Sequence, residues 1–208
     1  MIKRMSVCFV LRVFAVTALP MAVFAGNPVK AVREPIYTAG GRLVPPADYR
    51  EWIFLSSGLD MSYNAKALAF GQPVFDNVFV NPESYRAFLQ TVTWPDKTQF
   101  VLEVRSSTSK GSINHRGHFQ NGDIQGIEMH VKDTARFEGG WAFFDIVGST
   151  PMAKIPMTAD CYTCHREHAA VDTTFVQFYP TLLPIAQKHA TLSASYLKDD
   201  AQVAKTVH

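Results

Sequence analysis

"TQFVLEVRSS", residues 98–107, and "DIQGIEMHVKD", residues 123–133, decide how this chain folds. In the first, Phe100, Leu102 and Val104 alternate with Val101, Glu103 and Arg105. In the second, Ile127, Met129 and Val131 alternate with Glu128, His130 and Lys132. A period of two sends successive side chains to opposite faces, so both stretches read as strands, the second with its Glu128 face toward solvent. Between them lies "TSKGSINHRGHFQNG" (108–122), whose Gly, Ser and Asn content reads as a long exposed connection.

Working outward, "QPVFDNVFVNPES" (72–84) places Phe75, Asn77 and Phe79 on one face and Val74, Asp76, Val78 and Val80 on the other. Asn81-Pro82 stops that strand. "PESYRAFLQT" (82–91) then has Pro82 and Glu83 early and Tyr85, Phe88 and Leu89 at helical spacing, which predicts a short helix. "ADYREWIFLSSG" (47–58) opens as either helix or strand, "DTARF" (133–137) as a helical turn, and "GWAFFDIVG" (140–148) as an apolar strand. The last third carries helical spacings broken by Pro180 and Pro184, and the polar tail after Leu197 is expected to fray. The expected fold is therefore α+β and β-rich, an antiparallel sheet with flanking helices and no domain linker.

The chain opens with Lys3 and Arg4, an apolar run from Val7 to Val23 interrupted only by Arg12, and Val23-Phe24-Ala25 before Gly26. That is the layout of a signal peptide (1–25) cut near Ala25, giving a periplasmic or secreted protein. Nothing later is long enough to span a bilayer. About 180 residues remain, enough for one domain with a sizeable core. A net charge of +2 implies no basic surface for nucleic acid. Fifteen Phe and three Trp point to a thick aromatic core or a large apolar pocket. Of three cysteines, Cys8 leaves with the signal peptide, so only Cys161 and Cys164 remain. Two cysteines three apart do not make a disulfide scaffold; the pair serves something local.

That pair sits in "DCYTCHREH" (160–168), at the start of the C-terminal helical segment. Thioether attachment of haem needs two thiols about one helical turn apart and a histidine directly after, and C-x-x-C-H is its signature. A thioredoxin-like dithiol would need a βαβ context, whereas this pair follows antiparallel strands. Structural zinc would need four ligands within eight residues. The motif therefore reads as one haem c per chain, with Cys161 and Cys164 as covalent anchors and His165 as the proximal iron ligand.

The sixth position decides what such an iron does. Met157 is too close in sequence to reach the far face, and His168 lies on nearly the same helical face as His165. Met61 and Met129 read as packing, His115 and His118 as loop residues, His189 and His208 as surface. No sixth ligand stands out.

"YREWIFLSSGL", "NPESYRAF", "GIEMHVKDTARF", "GGWAFFDI" and "CYTCHREHAAVDTTFVQFYPTL" occur in that order and spacing. Together, from Tyr49 to Leu182, they resemble the cytochrome P-460 family, whose relatives include the cytochromes c-prime-beta. The resemblance implies a β-rich homodimer with one haem c per chain and an open distal side. The haem domain is expected over 47–190, after a Gly- and Pro-containing, weakly patterned stretch that reads as an extended lead-in (26–46) and before a polar tail (191–208). One branch of the family cross-links a lysine to the porphyrin edge and oxidises hydroxylamine, passing electrons to a cytochrome partner. The other caps the iron with phenylalanines and binds nitric oxide. Counting back from Gly126-Ile127-Glu128, the lysine's place falls on Leu102, which offers no nucleophile.

Glu128 matches the family's pocket carboxylate, a proton acceptor if buried and a solvated strand residue if not. Phe54, Phe70, Phe75 and Phe79 are candidates for a distal cap or for plain core. Arg105 is either a haem-propionate partner or a surface arginine. The leading expectation is a five-coordinate, His-ligated cytochrome binding nitric oxide or a related small ligand. The alternatives are a hydroxylamine or nitric oxide oxidoreductase using Glu128, and a six-coordinate electron carrier.

Overall fold

The computed structural model of the chain describes residues 32–62, 72–146 and 151–206. The proposed signal peptide and Phe70 lie outside them. Part of the stretch expected as extended lead-in folds as a small hairpin, β1 (Ile36–Tyr37) and β2 (Leu43–Val44). Leu43 exchanges backbone hydrogen bonds with Met152 at 3.0 and 2.7 Å, which fastens the hairpin to the main body.

After a single turn at Tyr49–Glu51, the chain builds a six-stranded antiparallel sheet in sequence order. Its strands are β3 (Ile53–Leu59), β4 (Val74–Val80), β5 (Gln99–Thr108), β6 (Phe119–Lys132), β7 (Trp141–Ile146) and β8 (Ala153–Lys154). Helix α1 (Pro82–Thr91) links β4 to β5 and begins with proline in its first turn, where the missing N–H goes unnoticed. Asn81 before it does not cap the helix; its Oδ1 accepts from the Gln99 N–H at 2.8 Å and ties the helix start to β5. Three helices follow the sheet: α2 (Asp160–His168), α3 (Leu183–Lys188) and α4 (Ala194–Thr206). No helix among the described residues is long and apolar enough to cross a membrane.

Two expectations are corrected. The connection expected over 108–122 is shorter, because β6 already starts at Phe119 and pairs with Thr108 across two irregularities near Arg105. Asn77 and Gln120 exchange amide hydrogen bonds at 2.8 and 3.0 Å and hold this early part in place. The tail after Leu197 is helical to Thr206. Ser193 Oγ accepts from the Tyr196 N–H at 3.1 Å as a helix cap, and Asp199 accepts from His168 Nδ1 at 2.6 Å.

The sheet is covered on both faces over its central rows, which overturns the solvent-face reading of β6 at His130 and Lys132 but leaves Glu128 exposed. One face carries Val101, Met129, Val131 and Phe144 against Leu43, Trp52, Phe137 and Met152. The other carries Val80, Phe100 and Trp141 against Phe88, Trp94 and the C-terminal residues Val176, Tyr179 and Leu182. Alternation identified the two faces; the C-terminal layer decides which residues of the second face are covered. His130 is consequently only 8% exposed.

Within the first face sits a buried carboxylate. Glu103 is 1% exposed and accepts from Tyr49 Oη at 2.5 Å and Arg105 Nε at 2.6 Å, with Arg50 also paired to it. Burial alone would raise Glu103, but the bonds from Tyr49 and Arg105 and the two arginine charges outweigh it, so its pKa is lowered. Tyr49 is pushed up to about 12, first by burial and then by Glu103. Glu103→Leu, which strands both arginines and the phenol, is expected to lower stability by about 2–4 kcal/mol in denaturant melts. A depressed carboxylate stabilises above its unfolded value and loses that as pH falls through the folded one. The native protein should therefore weaken with acid below about pH 4.5, and Glu103→Leu should flatten that limb. A raised phenol acts in the opposite sense, so stability should also decline between pH 10 and about 12.

Candidate functional site

Helix α2 presents Cys161, Cys164 and His165 at positions i, i+3 and i+4, which lie on one helical face. Tyr162, between the two thiols, docks the helix onto the sheet. Its hydroxyl donates to the Ile155 carbonyl at 3.1 Å and accepts from the Phe143 N–H at 3.2 Å, just beside the β7–β8 edge. The thiol face is thereby turned toward a pocket of about 410 Å³, between α2 with the segment after it and the inner sheet face. That volume falls within the range of small-molecule sites, and the walls are mainly apolar.

The sheet wall follows from strand register. Val78, Leu102 and Glu128 stand in one row across β4, β5 and β6, and Phe100 and His130 in the next across β5 and β6. All five line the pocket. The next strand continues this wall: Phe143 on β7, paired with His130, stacks on it with ring centres 4.0 Å apart and meets His165 of the helix at 4.6 Å. Phe175 closes on His165 from another side at 4.2 Å.

The chemistry of the three motif side chains is specific. His165 Nδ1 lies 2.7 Å from the Thr173 carbonyl oxygen. A carbonyl can only accept, so Nδ1 carries the proton and Nε2 keeps its lone pair. Burial lowers the His165 pKa, against the raising effect of the Thr173 carbonyl, and so favours the neutral ring that a metal requires. Both cysteines are free. Burial raises each thiol, helped at Cys161 by Glu128 and Asp160 and at Cys164 by Glu167. A redox dithiol needs the opposite, a thiolate stabilised by positive surroundings. Among the described residues no group of three or more His, Cys, Asp or Glu side chains converges to hold a metal ion, so the zinc reading lacks its ligands.

A family model described as Cytochrome P460 matches residues 46–176. The chain belongs to the cytochrome P460 family. No curated protein matches it. The P460 family implies a haem cofactor, and the residues present fit one. Two free thiols and a neutral imidazole with an available nitrogen share one wall of an apolar pocket, and the buried His130 Nε2 lies beside them without a hydrogen-bond partner.

The other candidate residues divide. Leu102 and Glu128 line the pocket side by side across β5 and β6. Glu128 is accessible from the pocket, yet the surrounding protein desolvates it enough to raise its pKa, with Asp145 and Asp76 adding to the shift. Phe79 packs in the opposite core with Tyr49 at 5.8 Å and Phe54 at 5.7 Å. Phe54 itself is 54% exposed. Phe75 shares their side of β4 by alternation. The aromatic walls are instead Phe100, Phe143, Phe175 and Phe178. Arg105 is engaged by Glu103 and by the Asn121 and Gly122 carbonyls, so it is not a pocket residue.

Sequence reading missed His130 and Phe143. His130 was within reach, since a residue two positions from Glu128 shares its face. Phe143→Ala removes the ring on which both imidazoles rest, and a loss of about 3–4 kcal/mol is expected in thermal or denaturant melts.

Proposed function

We propose that this protein is an exported, homodimeric mono-haem c cytochrome whose five-coordinate iron takes nitric oxide or a similarly small ligand. Cys161 and Cys164 would hold the haem covalently, each thiol S–H adding across one vinyl group to give a thioether, and His165 Nε2 would ligate its iron. When bound, the haem supplies an open coordination position and a one-electron couple. The single observation that carries this reading is the 2.7 Å contact from His165 Nδ1 to the Thr173 carbonyl, which leaves Nε2 free on a pocket-lining ring.

The second axial position is served poorly by the described side chains. Two imidazoles ligating opposite faces of one iron, each at roughly 2 Å, would keep their ring centres about 6 Å apart. His130 and His165 are 5.0 Å apart and share contact with Phe143, so His130 belongs to the proximal side. Met129 is buried in the opposite core. Met61 does line the pocket, but its sulfur is folded back on Gly58, where an added Cβ would come within 2.5 Å of it. Leu102 and Val78 supply apolar wall instead.

The purified ferrous protein should therefore show a high-spin five-coordinate spectrum that changes on adding nitric oxide. Met61→Leu should leave the spectrum unchanged; a low-spin ferrous spectrum lost in that variant would establish the electron-carrier reading instead. Denatured Cys161→Ala/Cys164→Ala protein should carry no covalent haem by mass.

One observation favours a second reading, oxidation of hydroxylamine or nitric oxide with electrons passed to a partner cytochrome. Glu128 stands at the pocket wall with a raised pKa, as suits a proton acceptor. The accepting form is the carboxylate, so turnover with a chemical oxidant should rise as pH climbs through that elevated value. Glu128→Gln should abolish both the turnover and the limb. With Leu102 at the lysine's place, the intact haem peptide should show only the two cysteine attachments.

A further inference from the structure

The carbonyl that orients His165 comes from an unfavourable piece of backbone. Asp172 and Thr173 have φ of 46° and 59°, and neither is glycine. Positive φ is a true outlier for a β-branched residue such as threonine. Thr173 Oγ1 is also buried without a hydrogen-bond partner. Such a conformation persists only where its surroundings over-determine it.

The surroundings do so here. Val171 and Thr174 close the turn as a two-residue bridge, with Thr174 N–H donating to the Val171 carbonyl at 2.8 Å. Thr174 Oγ1 accepts from Trp94 Nε1 at 2.8 Å, anchoring one flank in the core. The tip is held by charge. Asp172 Oδ2 accepts from Lys132 Nζ at 2.6 Å, and its Oδ1 accepts from Trp141 Nε1 at 3.2 Å. Lys132 is itself fixed, donating to the Trp94 carbonyl at 2.9 Å and lying 5.4 Å over the Trp141 ring. Three points on the sheet and its flank therefore clamp a turn that local preference would release.

We propose that Asp172 is a positioning residue for the iron ligand: gripped by Lys132 and Trp141, it keeps the Thr173 carbonyl on His165 Nδ1 and so sets how strongly the imidazole donates to iron. The inference rests on the reading of His165 as axial ligand. A hydrogen bond accepted from Nδ1–H makes the ring more basic at Nε2. Loosening the turn weakens that bond, lowers donation to iron and stabilises the ferric state less.

The test uses the full-length, haem-loaded protein, with resonance Raman of the ferrous form and redox titration as readouts. Asp172→Ala is expected to move the iron–histidine stretching mode to lower frequency and to raise the midpoint potential. Asp172→Asn, which keeps an acceptor for Trp141 but loses the charge, should give a smaller shift of the same sign. Lys132→Met should match it, and combining the two should add little. If Asp172→Ala does not fold, the Asn and Met variants carry the test. Variants that melt earlier while mode and potential stay at wild-type values overturn the proposal, leaving Asp172 with a structural role only. Absence of an iron–histidine mode in the wild-type ferrous protein would instead remove the five-coordinate His165 reading beneath it.

Discussion

Leu102 pairs with Glu128 and Phe100 with His130 across β5 and β6, and a slip of one residue between these strands would exchange every side chain of one face for those of the other. Val101 and Met129 would then look into the pocket, while Glu128 and His130 entered an apolar core. The slip is resisted from both sides, because each face packs its own set of apolar side chains against a covering layer. Glu103 supplies a further lock. Its partners Tyr49, Arg50 and Arg105 come from two separate stretches of chain, and only one register brings it to them.

The pocket lies where two demands on the inner face part company. At the Trp94 and Phe100 end, α1 and the C-terminal segments fill the space with aromatic rings, Trp94 and Phe100 meeting at 4.8 Å. Toward Glu128, the covering layer is α2, and α2 is held by Tyr162 at the sheet edge rather than by a large apolar stripe. A helix docked by a hydroxyl at one point and by the His168–Asp199 pair at another leaves room beneath it. The thiols and the imidazole occupy that room's roof, and the leucine and the carboxylate its wall.

Much of this was legible because β-strands write their faces in a period of two. The alternation in 98–107 and 123–133 separated Leu102 from Glu103 and Glu128 from Met129 before any fold was known, and Asn81-Pro82 marked the turn into α1. Alternation says which residues travel together but not which side stays wet, so Lys132 and His130 read as solvated until the C-terminal layer was in place. Phenylalanine content pointed to an aromatic wall without saying which rings; Phe79 and Phe143 look alike in sequence, and only register assigns one to each face. The Asp172–Thr173 turn left no sequence signal, since its conformation is imposed by Lys132 and Trp141 from distant strands rather than by glycine.

Leu55 is an extra residue on β3, inserted where the pairing with β4 shifts between Phe54 and Ser56. It turns inward and is 3% exposed, while Phe54 beside it faces solvent. The strand is also the edge of the sheet, and a long flat edge invites another chain to add itself by backbone pairing. A bulge bends that row of donors and acceptors out of line. At the far edge β8 is only two residues long. The residue that completes the core on one side thus also keeps the sheet finite, so that a strand carrying an exposed phenylalanine can stand at a border without seeding aggregation.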